Sequence, residues 1–272
     1  VHQRKYKGKR TVSCPLPRAN AFRTERSGVM QYWGLTDPGM VRKQNQDAYH
    51  IVKLDKASVL AIVCDGMGGA KSGNVASSLA VDVFVQEVQR RWVSGTDWDK
   101  ADQILRSAVK LANFTVYDQA KQFVEFDGMG TTLVAALIRG QKVTVVNVGD
   151  SRAYGITEGG IRQLTKDHSL VQLMVDRGEI RPEMAKSYPG KNLITRAIGT
   201  EPVVLCDMFR QEFQRGDFLL LCSDGLSNMM DDQEILFEVV HGVNKSRCCQ
   251  RLLNITKTRG APDNVTSILI AL

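Results

Sequence analysis

Long apolar runs are missing from this sequence. Across 272 residues, 43% of them hydrophobic, no stretch approaches the roughly 18–20 apolar residues a membrane-spanning helix requires. Cysteine is scarce and unpatterned. Cys14, Cys64, Cys206, Cys222, Cys248 and Cys249 form no C-x-x-C and no metal-type spacing, which excludes a zinc module or a disulfide framework. Cys64, Cys206 and Cys222 fall in apolar runs expected to be strands, where free Cys acts as a small hydrophobe, and Cys248-Cys249 fall in an expected helix. This usage fits a reducing compartment, so a cytoplasmic location is expected, with the sequons at Asn113, Asn254 and Asn264 coincidental. Neither a secretory signal pattern nor an internal repeat nor a low-complexity segment is present. The chain begins with Val and ends on Ile268-Leu269-Ile270-Ala271-Leu272, which reads as a core strand, so the parent protein is expected to continue beyond it.

Basic excess is missing from most of the chain. Residues 1–28 hold Arg4, Lys5, Lys7, Lys9, Arg10, Arg18, Arg23 and Arg26 against Glu25 alone, which equals the whole net charge of +7. The rest is neutral, so a pI of 9.1 says nothing about a basic binding face. We therefore divide the chain into a flexible basic N-terminal extension, 1–28, and one domain, 29–272. The plain reading of the extension is a solvated linker; the alternative is an electrostatic tether to an acidic surface. With only Tyr6 and Phe22 as aromatics, it offers no platform for stacking bases, and no nucleic-acid partner is expected.

What is present is an alternation of strand and helix blocks. Strands are expected at 31–35, 48–54 and 59–64, then a helix capped by Ser72 and a second helix at 101–121. Strands return at 132–138, 142–148 and 152–156, the first two joined at Arg139-Gly140-Gln141 by a hairpin-length link. Residues 165–200 are less regular, with a short helix at 168–177, and read as a mobile flap. Strands at 203–210 and 217–222 precede helices at 231–241 and 245–258 and a last strand at 265–271. Hairpin-linked strands with helices inserted in pairs argue for antiparallel sheets covered by helices, an α+β fold, rather than a βαβ array.

Carboxylates recur where these apolar runs stop. Asp65-Gly66-Met67-Gly68-Gly69 follows the run Val59–Cys64, Asp224-Gly225 follows Phe218–Cys222, and Asp263-Asn264 precedes Val265–Ala271. No histidine lies among them, which points to an all-oxygen site for hard cations such as Mg²⁺ or Mn²⁺. Asp47, five residues after Arg42, and Asp127-Gly128-Met129-Gly130 add further acids. A single Asp-Gly is ordinarily just a turn, but several abutting strands repel one another unless cations lie between them. Two such ions roughly 3.5–4 Å apart generate a bridging hydroxide for in-line attack on phosphorus. Arg42 is then the natural phosphate anchor, since guanidinium matches phosphate oxygens bidentately.

The ordered set Arg42-x-x-Asn45-Gln46-Asp47, Asp65-Gly66-Met67-Gly68-Gly69, Gly130-Thr131-Thr132, Val148-Gly149-Asp150-Ser151-Arg152, Ser223-Asp224-Gly225 and Asp263-Asn264 resembles the PP2C-type metal-dependent protein phosphatases in their bacterial form. The likeness covers about residues 31–272. It implies a four-layer αββα sandwich, two antiparallel β-sheets flanked by helices, with a dinuclear site in a channel at one edge. It implies that Asp65 bridges both metals, that Gly66 adds a carbonyl, and that Asp224 and Asp263 hold the first metal. By the same resemblance Asp47 acts near the cluster directly or through water, and Asp127 helps Asp224 bind a third, weaker ion. Arg42 matches the phosphate-binding arginine.

One departure concerns Met67, which stands where animal relatives carry a histidine proposed as general acid. Metal-bound water or another group must then protonate the leaving oxygen, and His168, in the flap, is a poor candidate. Asp150 and Arg152 are expected to pair structurally near a strand turn.

The function implied is a phosphoserine/phosphothreonine protein phosphatase, monomeric, acting on phosphorylated proteins, with a serine/threonine kinase and its substrates as expected partners. The alternatives are a catalytically inactive relative serving as a binding module, or a phosphatase of a small phosphorylated metabolite. The complete ligand set favours the first. Removing residues 1–28 is expected to leave metal-dependent turnover on a short phosphopeptide unchanged. Exposed charges act over only about 10 Å at ~0.1 M salt, so retention on acidic vesicles at low and high salt separates linker from tether: equal retention of both forms means a linker.

Overall fold

Strands buried on both faces must lie inside the molecule, and this chain has several. In the computed structural model, which describes residues 30–68, 72–185, 188–190 and 192–272, β3 is buried along almost its whole length. The elements run β1 (Gln31–Asp37), β2 (Asp47–Lys53), β3 (Ser58–Met67), α1 (Gly73–Arg91), α2 (Trp98–Gln122), a 3₁₀ turn (Val124–Phe126), β4 (Gly130–Thr131), β5 (Leu133–Arg139) and β6 (Lys142–Val148). They continue with β7 (Arg152–Thr157), β8 (Gly160–Gln163), α3 (Leu170–Asp176), α4 (Pro182–Ala185), β9 (Asp207–Glu212) and β10 (Phe218–Cys222). The last are α5 (Asp224–Ser227), α6 (Asp232–His241), a 3₁₀ turn (Lys245–Arg247), α7 (Cys248–Thr258) and β11 (Val265–Ala271). The basic extension, 1–28, lies outside the described residues.

The strands form two antiparallel sheets, ordered β1-β11-β10-β7-β8 and β2-β3-β5-β6-β9, with β4 pairing to the end of β3. Period-two alternation sends opposite faces of each strand to different layers. Ala61, Val63, Val134 and Ala136 from one sheet meet Leu219, Leu221, Ile268 and Ile270 from the other in a central core. Outward-facing Leu60, Ile62 and Leu137 pack on α1 and α2 through Phe84, Leu105 and Val109. On the far side Leu220, Cys222 and Leu269 pack on α6 and α7 through Ile235, Val239 and Leu252. The order is helices, sheet, sheet, helices, the expected αββα sandwich.

Local chemistry moved several boundaries. The second helix starts at Trp98, earlier than periodicity suggested, because Asp97 caps it by accepting from the Lys100 backbone N–H at 2.8 Å. Strand β9 begins at Asp207 rather than 203. The preceding Val204 and Cys206 pack against the α2-side core, while Asn113 of α2 donates to the carbonyls of Glu201 and Pro202. The apolar run thus covers a helix instead of pairing with a strand, and Cys206 stands just before the strand. The hairpin partner β8 was missed because its sequence, Gly-Ile-Arg-Gln, carries little apolar pattern. Asp224 opens the short α5 instead of sitting in a plain turn.

Antiparallel pairing fixes where the chain turns. The C-terminal ends of β1, β3, β6 and β10 lie beside the N-terminal starts of β11, β2, β5 and β7: Asp37 pairs with Val265, Asp65 with Asp47, Val148 with Leu133, and Cys222 with Arg152. Asp47, Asp65, Asp150, Asp224 and Asp263 lie at or within two residues of these strand ends, so both sheets deliver them to one edge of the sandwich. A glycine makes the junction there. A Cβ on Gly66 would lie 2.0 Å from the Gly73 carbonyl oxygen and 2.6 Å from that of Gln46. Both are backbone atoms that cannot yield, so only glycine lets helix α1 start against the end of β3. Gly66→Ala is expected to cost about 2–3 kcal/mol by overpacking and to lower the Tm by roughly 5–10 °C. Thermal unfolding checks this; an unchanged Tm would mean the junction is looser than it is drawn here.

Candidate active site

Asp47 is buried at this edge. Its Oδ2 accepts from Thr266 Oγ1 at 2.6 Å and Ser223 Oγ at 2.8 Å, while its Oδ1 is buried without a hydrogen-bond partner. An orphaned buried carboxylate oxygen is costly, and this one sits in a strand register directly opposite Asp65. Burial pushes the Asp47 carboxyl up to about 7 despite the two hydroxyls, and Asp224 adds to the rise. Asp65 is raised well above the carboxylate range by burial, then by Asp47, Asp224, Asp150 and Asp263. Five carboxylates therefore feel one another at this edge. Its backbone is pinned: the Asp65 N–H donates to Thr132 Oγ1 at 2.9 Å, and its carbonyl accepts from Thr132 N and Thr131 Oγ1.

Asp224 and Asp263 arrive from the other sheet. Asp224 Oδ2 accepts from Asn228 at 2.9 Å. Asp263 Oδ1 accepts from the Asn264 N–H, and its Oδ2 accepts from Arg42 Nη2 at 2.8 Å. Asn264 staples the loop that carries Arg42: it donates to the Pro38 and Gln44 carbonyls and accepts from the Gln46 N–H. Arg42 itself is 54% exposed in its side chain, so it stands at the mouth of the acidic cluster. Its hydrogen bond to Asp263 raises its pKa, and the charges of Asp65 and Asp224 add to that.

Asp127 is placed differently. It follows the 3₁₀ turn, is 73% exposed and has Lys121 Nζ at 4.0 Å. Met67 ends β3 opposite Gly130 in the register and packs beside it. His168 is buried and bonded to Gly149 and Asp207, which leaves it no path to a leaving group. In the 165–200 segment, Lys186 and Ser187 lie outside the described residues.

The expected Asp150–Arg152 pair is corrected. Arg152 reaches Asp167 instead, with Nη2 to Oδ2 at 2.6 Å and Nε to both carboxylate oxygens. Asp150, 7% exposed, is left facing the cluster: burial first, then Asp224 and Asp167, push its carboxyl up to about 8. Asp150 lies outside the strand, which starts at Arg152, and the Arg152 guanidinium is taken by Asp167 and the Tyr154 hydroxyl. The signal of Asp150 in the sequence was the Val148–Arg152 motif itself, read as structural. The Ser223 and Thr266 hydroxyls on Asp47 were likewise not foreseen; no local pattern marks a contact across more than 170 residues.

Among the described residues, no three Asp, Glu, His or Cys side chains are gathered tightly enough to hold a metal ion as they stand. One oxygen of Asp263 is held by Arg42. The donor set nonetheless fits hard cations: oxygen atoms only, with a buried unpaired carboxylate oxygen and several carboxyls that burial and mutual repulsion raise above their ordinary range.

The profile described as Protein phosphatase 2C matches residues 41–253. The chain belongs to the protein phosphatase 2C family. Membership makes it a metal-dependent phosphoprotein phosphatase, as the resemblance of the motifs implied. It is similar to the serine/threonine phosphatase stp of Listeria welshimeri, 38% identical over 86% of this chain and 93% of that one. It superimposes on the serine/threonine phosphatase Stp1 from Staphylococcus aureus with a TM-score of 0.83 and 36% identity, covering 93% and 99% of the two chains. The catalytic domain of the protein phosphatase PstP, solved with two manganese ions, matches with a TM-score of 0.75 at 33% identity, covering 89% and 98%. The acidic edge of the present phosphatase is built from residues of both sheets.

A carboxyl with a raised folded pKa binds more protons folded than unfolded over the interval between the two values. Its contribution to stability therefore falls as pH rises through that interval. With chelator present, Asp65→Asn removes one such group and lowers the pKa of its neighbours. The Tm difference, Asp65→Asn minus wild type, is expected to grow in favour of the variant from pH 5 to pH 8. A difference that shrinks over that range, in thermal scans with chelator, would contradict the clustering of these carboxyls.

Proposed function

We propose that this phosphatase hydrolyses phosphoserine and phosphothreonine in proteins, using two divalent cations, Mn²⁺ or Mg²⁺, held by Asp65, the Gly66 carbonyl, Asp224 and Asp263. Asp47 acts beside them directly or through water, and Asp127 with Asp224 takes a third, weaker ion. The observation that carries the reading is the buried Asp47 Oδ1, left without a hydrogen-bond partner, on a residue directly opposite Asp65 in the strand register. Bound at this edge, such cations neutralise the carboxylates, polarise the phosphoryl oxygens and acidify water for attack on phosphorus.

The protein's own part is positioning. Ser223 and Thr266 orient Asp47 by two hydrogen bonds, so its free oxygen keeps one direction. Thr131 and Thr132 fix the backbone of Asp65. Arg42 exchanges its hold on Asp263 for the substrate phosphate, which it grips from the open side, bidentately and without needing to be buried. An arginine standing at the surface above the acids suits a phosphorylated side chain presented on a protein better than an enclosed metabolite. The expected partners are phosphorylated proteins and the serine/threonine kinase that makes them. We also propose a monomer acting in the cytoplasm, with residues 1–28 an appended extension; among the described residues no helix is long and apolar enough to cross a membrane.

Hydrolysis of a phosphothreonine peptide with and without Mn²⁺ tests this reading. Turnover is expected only with metal, and Asp65→Asn is expected to lower kcat by orders of magnitude. Arg42→Ala is expected to raise KM about tenfold or more with a smaller fall in kcat, the loss of one charge-assisted contact made in both ground and transition states. Near-normal turnover of Asp65→Asn in Mn²⁺, or metal titrations that shift sharply in Arg42→Ala while KM does not, would overturn these roles.

A further inference from the structure

Gly149-Asp150-Ser151 forms the tightest link between the acidic edge and the irregular segment that follows. Gly149 has a φ of +104°, and a Cβ there would lie 2.6 Å from Thr132 Cγ2, so the turn is set hard against β5. One residue holds it from the other side. His168, 8% exposed, accepts from the Gly149 N–H at Nδ1 (3.0 Å) and donates its own N–H to the Gly149 carbonyl (2.9 Å). Asn147 donates to the same carbonyl at 3.2 Å. Because a backbone N–H can only donate, Nδ1 is the acceptor and the ring proton sits on Nε2. Nε2 faces Asp207 Oδ2 at 3.2 Å. Arg196 Nη1 lies 2.9 Å from the same nitrogen and donates to Asp207 Oδ1.

His168 also closes the segment on itself. Its carbonyl accepts from Thr195 N at 2.8 Å, Ser169 pairs with Ile194, and Leu170 N donates to Leu193 O. Everything between 169 and 194 therefore leaves and returns at this histidine. On the other side, Ser151 Oγ meets Thr132 Oγ1 at 2.7 Å, and Thr132 Oγ1 accepts from the Asp65 N–H. A continuous run of hydrogen bonds thus leads from the base of the 169–194 excursion, through Gly149–Ser151, to the backbone of Asp65.

We propose that His168 is a positioning residue of the metal centre: through its two bonds to Gly149 it fixes Asp150 and Ser151 against the acidic cluster and ties that placement to the closure of the 169–194 segment. The inference rests on the reading of the acidic edge as the metal centre. Loss of such an outer support ordinarily costs metal affinity by 10–100-fold.

Two isosteres separate the ring's two ends. His168→Asn keeps an acceptor where Nδ1 stands; His168→Gln keeps a polar group where Nε2 stands and leaves the Gly149 N–H unpaired. Mn²⁺ binding is read by calorimetry, independently of turnover, beside Asp65→Asn. His168→Gln is expected to weaken Mn²⁺ binding about tenfold, and His168→Asn to restore it to within roughly threefold of wild type, although both lower the Tm. Equal Mn²⁺ affinities in the two variants, with Asp65→Asn defective, would make His168 a merely structural residue and overturn the proposal. Wild-type affinity in Asp65→Asn would instead remove the metal-centre reading beneath it. If His168→Gln does not fold, Asp207→Asn, a half-exposed change that frees the ring, is expected to weaken Mn²⁺ binding in the same direction; unchanged affinity there contradicts the proposal.

Discussion

Like charges cannot be buried together without a counter-charge, and the rest of this structure is arranged around that constraint. Asp47, Asp65 and Asp150 are taken out of water within range of Asp224 and Asp263. A single buried ion costs several kcal/mol even after relaxation, so burial raises the Asp47, Asp65 and Asp150 carboxyls above their ordinary range, while Asp263 turns to a cation of the protein itself, Arg42. The arrangement is thus poised for cations from solution, and its cost is the driving force with which they bind.

The sandwich tolerates such an edge because its stability lies elsewhere. Three apolar cores, one between the sheets and one beneath each helical layer, are built from strand interiors and helix faces well behind the acids. Each carboxylate lies at, or within two residues of, the end of a strand whose middle is locked in a core. Rigid strands therefore aim groups that their own local chemistry would push apart. Hydroxyls do the final orienting: Ser223 and Thr266 on Asp47, Thr131 and Thr132 on Asp65. All four are neutral: Ser223 and Thr266 donate to the Asp47 carboxylate, Thr131 donates to the Asp65 carbonyl and Thr132 accepts from the Asp65 N–H, so they hold the acids in place without cancelling the charge that the cations need.

Much of this was legible in the sequence. The runs Val59–Cys64 and Phe218–Cys222 announced buried strands, the Asp-Gly pairs announced where they stop, and the αββα order followed from the resemblance of the motifs. Asp97 as a cap and the earlier start of α2 were legible in principle but outweighed by the apolar period. Other features had no local signal. Val203–Cys206 reads as a strand until Val204 and Cys206 are found packed in the α2-side core, just after the Glu201 and Pro202 carbonyls that Asn113 holds. Asp150 reads as the partner of Arg152 until Asp167, fifteen residues on, takes the guanidinium. Sequence marks which residues carry charge; only tertiary packing decides which of two nearby acids is neutralised and which is left to face the site.

The central claim is that divalent cations replace protons in this cluster. Calorimetric titration of the chain with Mn²⁺ near pH 7, repeated in buffers of different ionisation enthalpy, measures the protons released per metal bound. The account predicts saturable binding accompanied by net proton release, since the buried carboxyls must ionise to accept the metal. Saturable binding with no proton release, or no saturable binding at all, would contradict it.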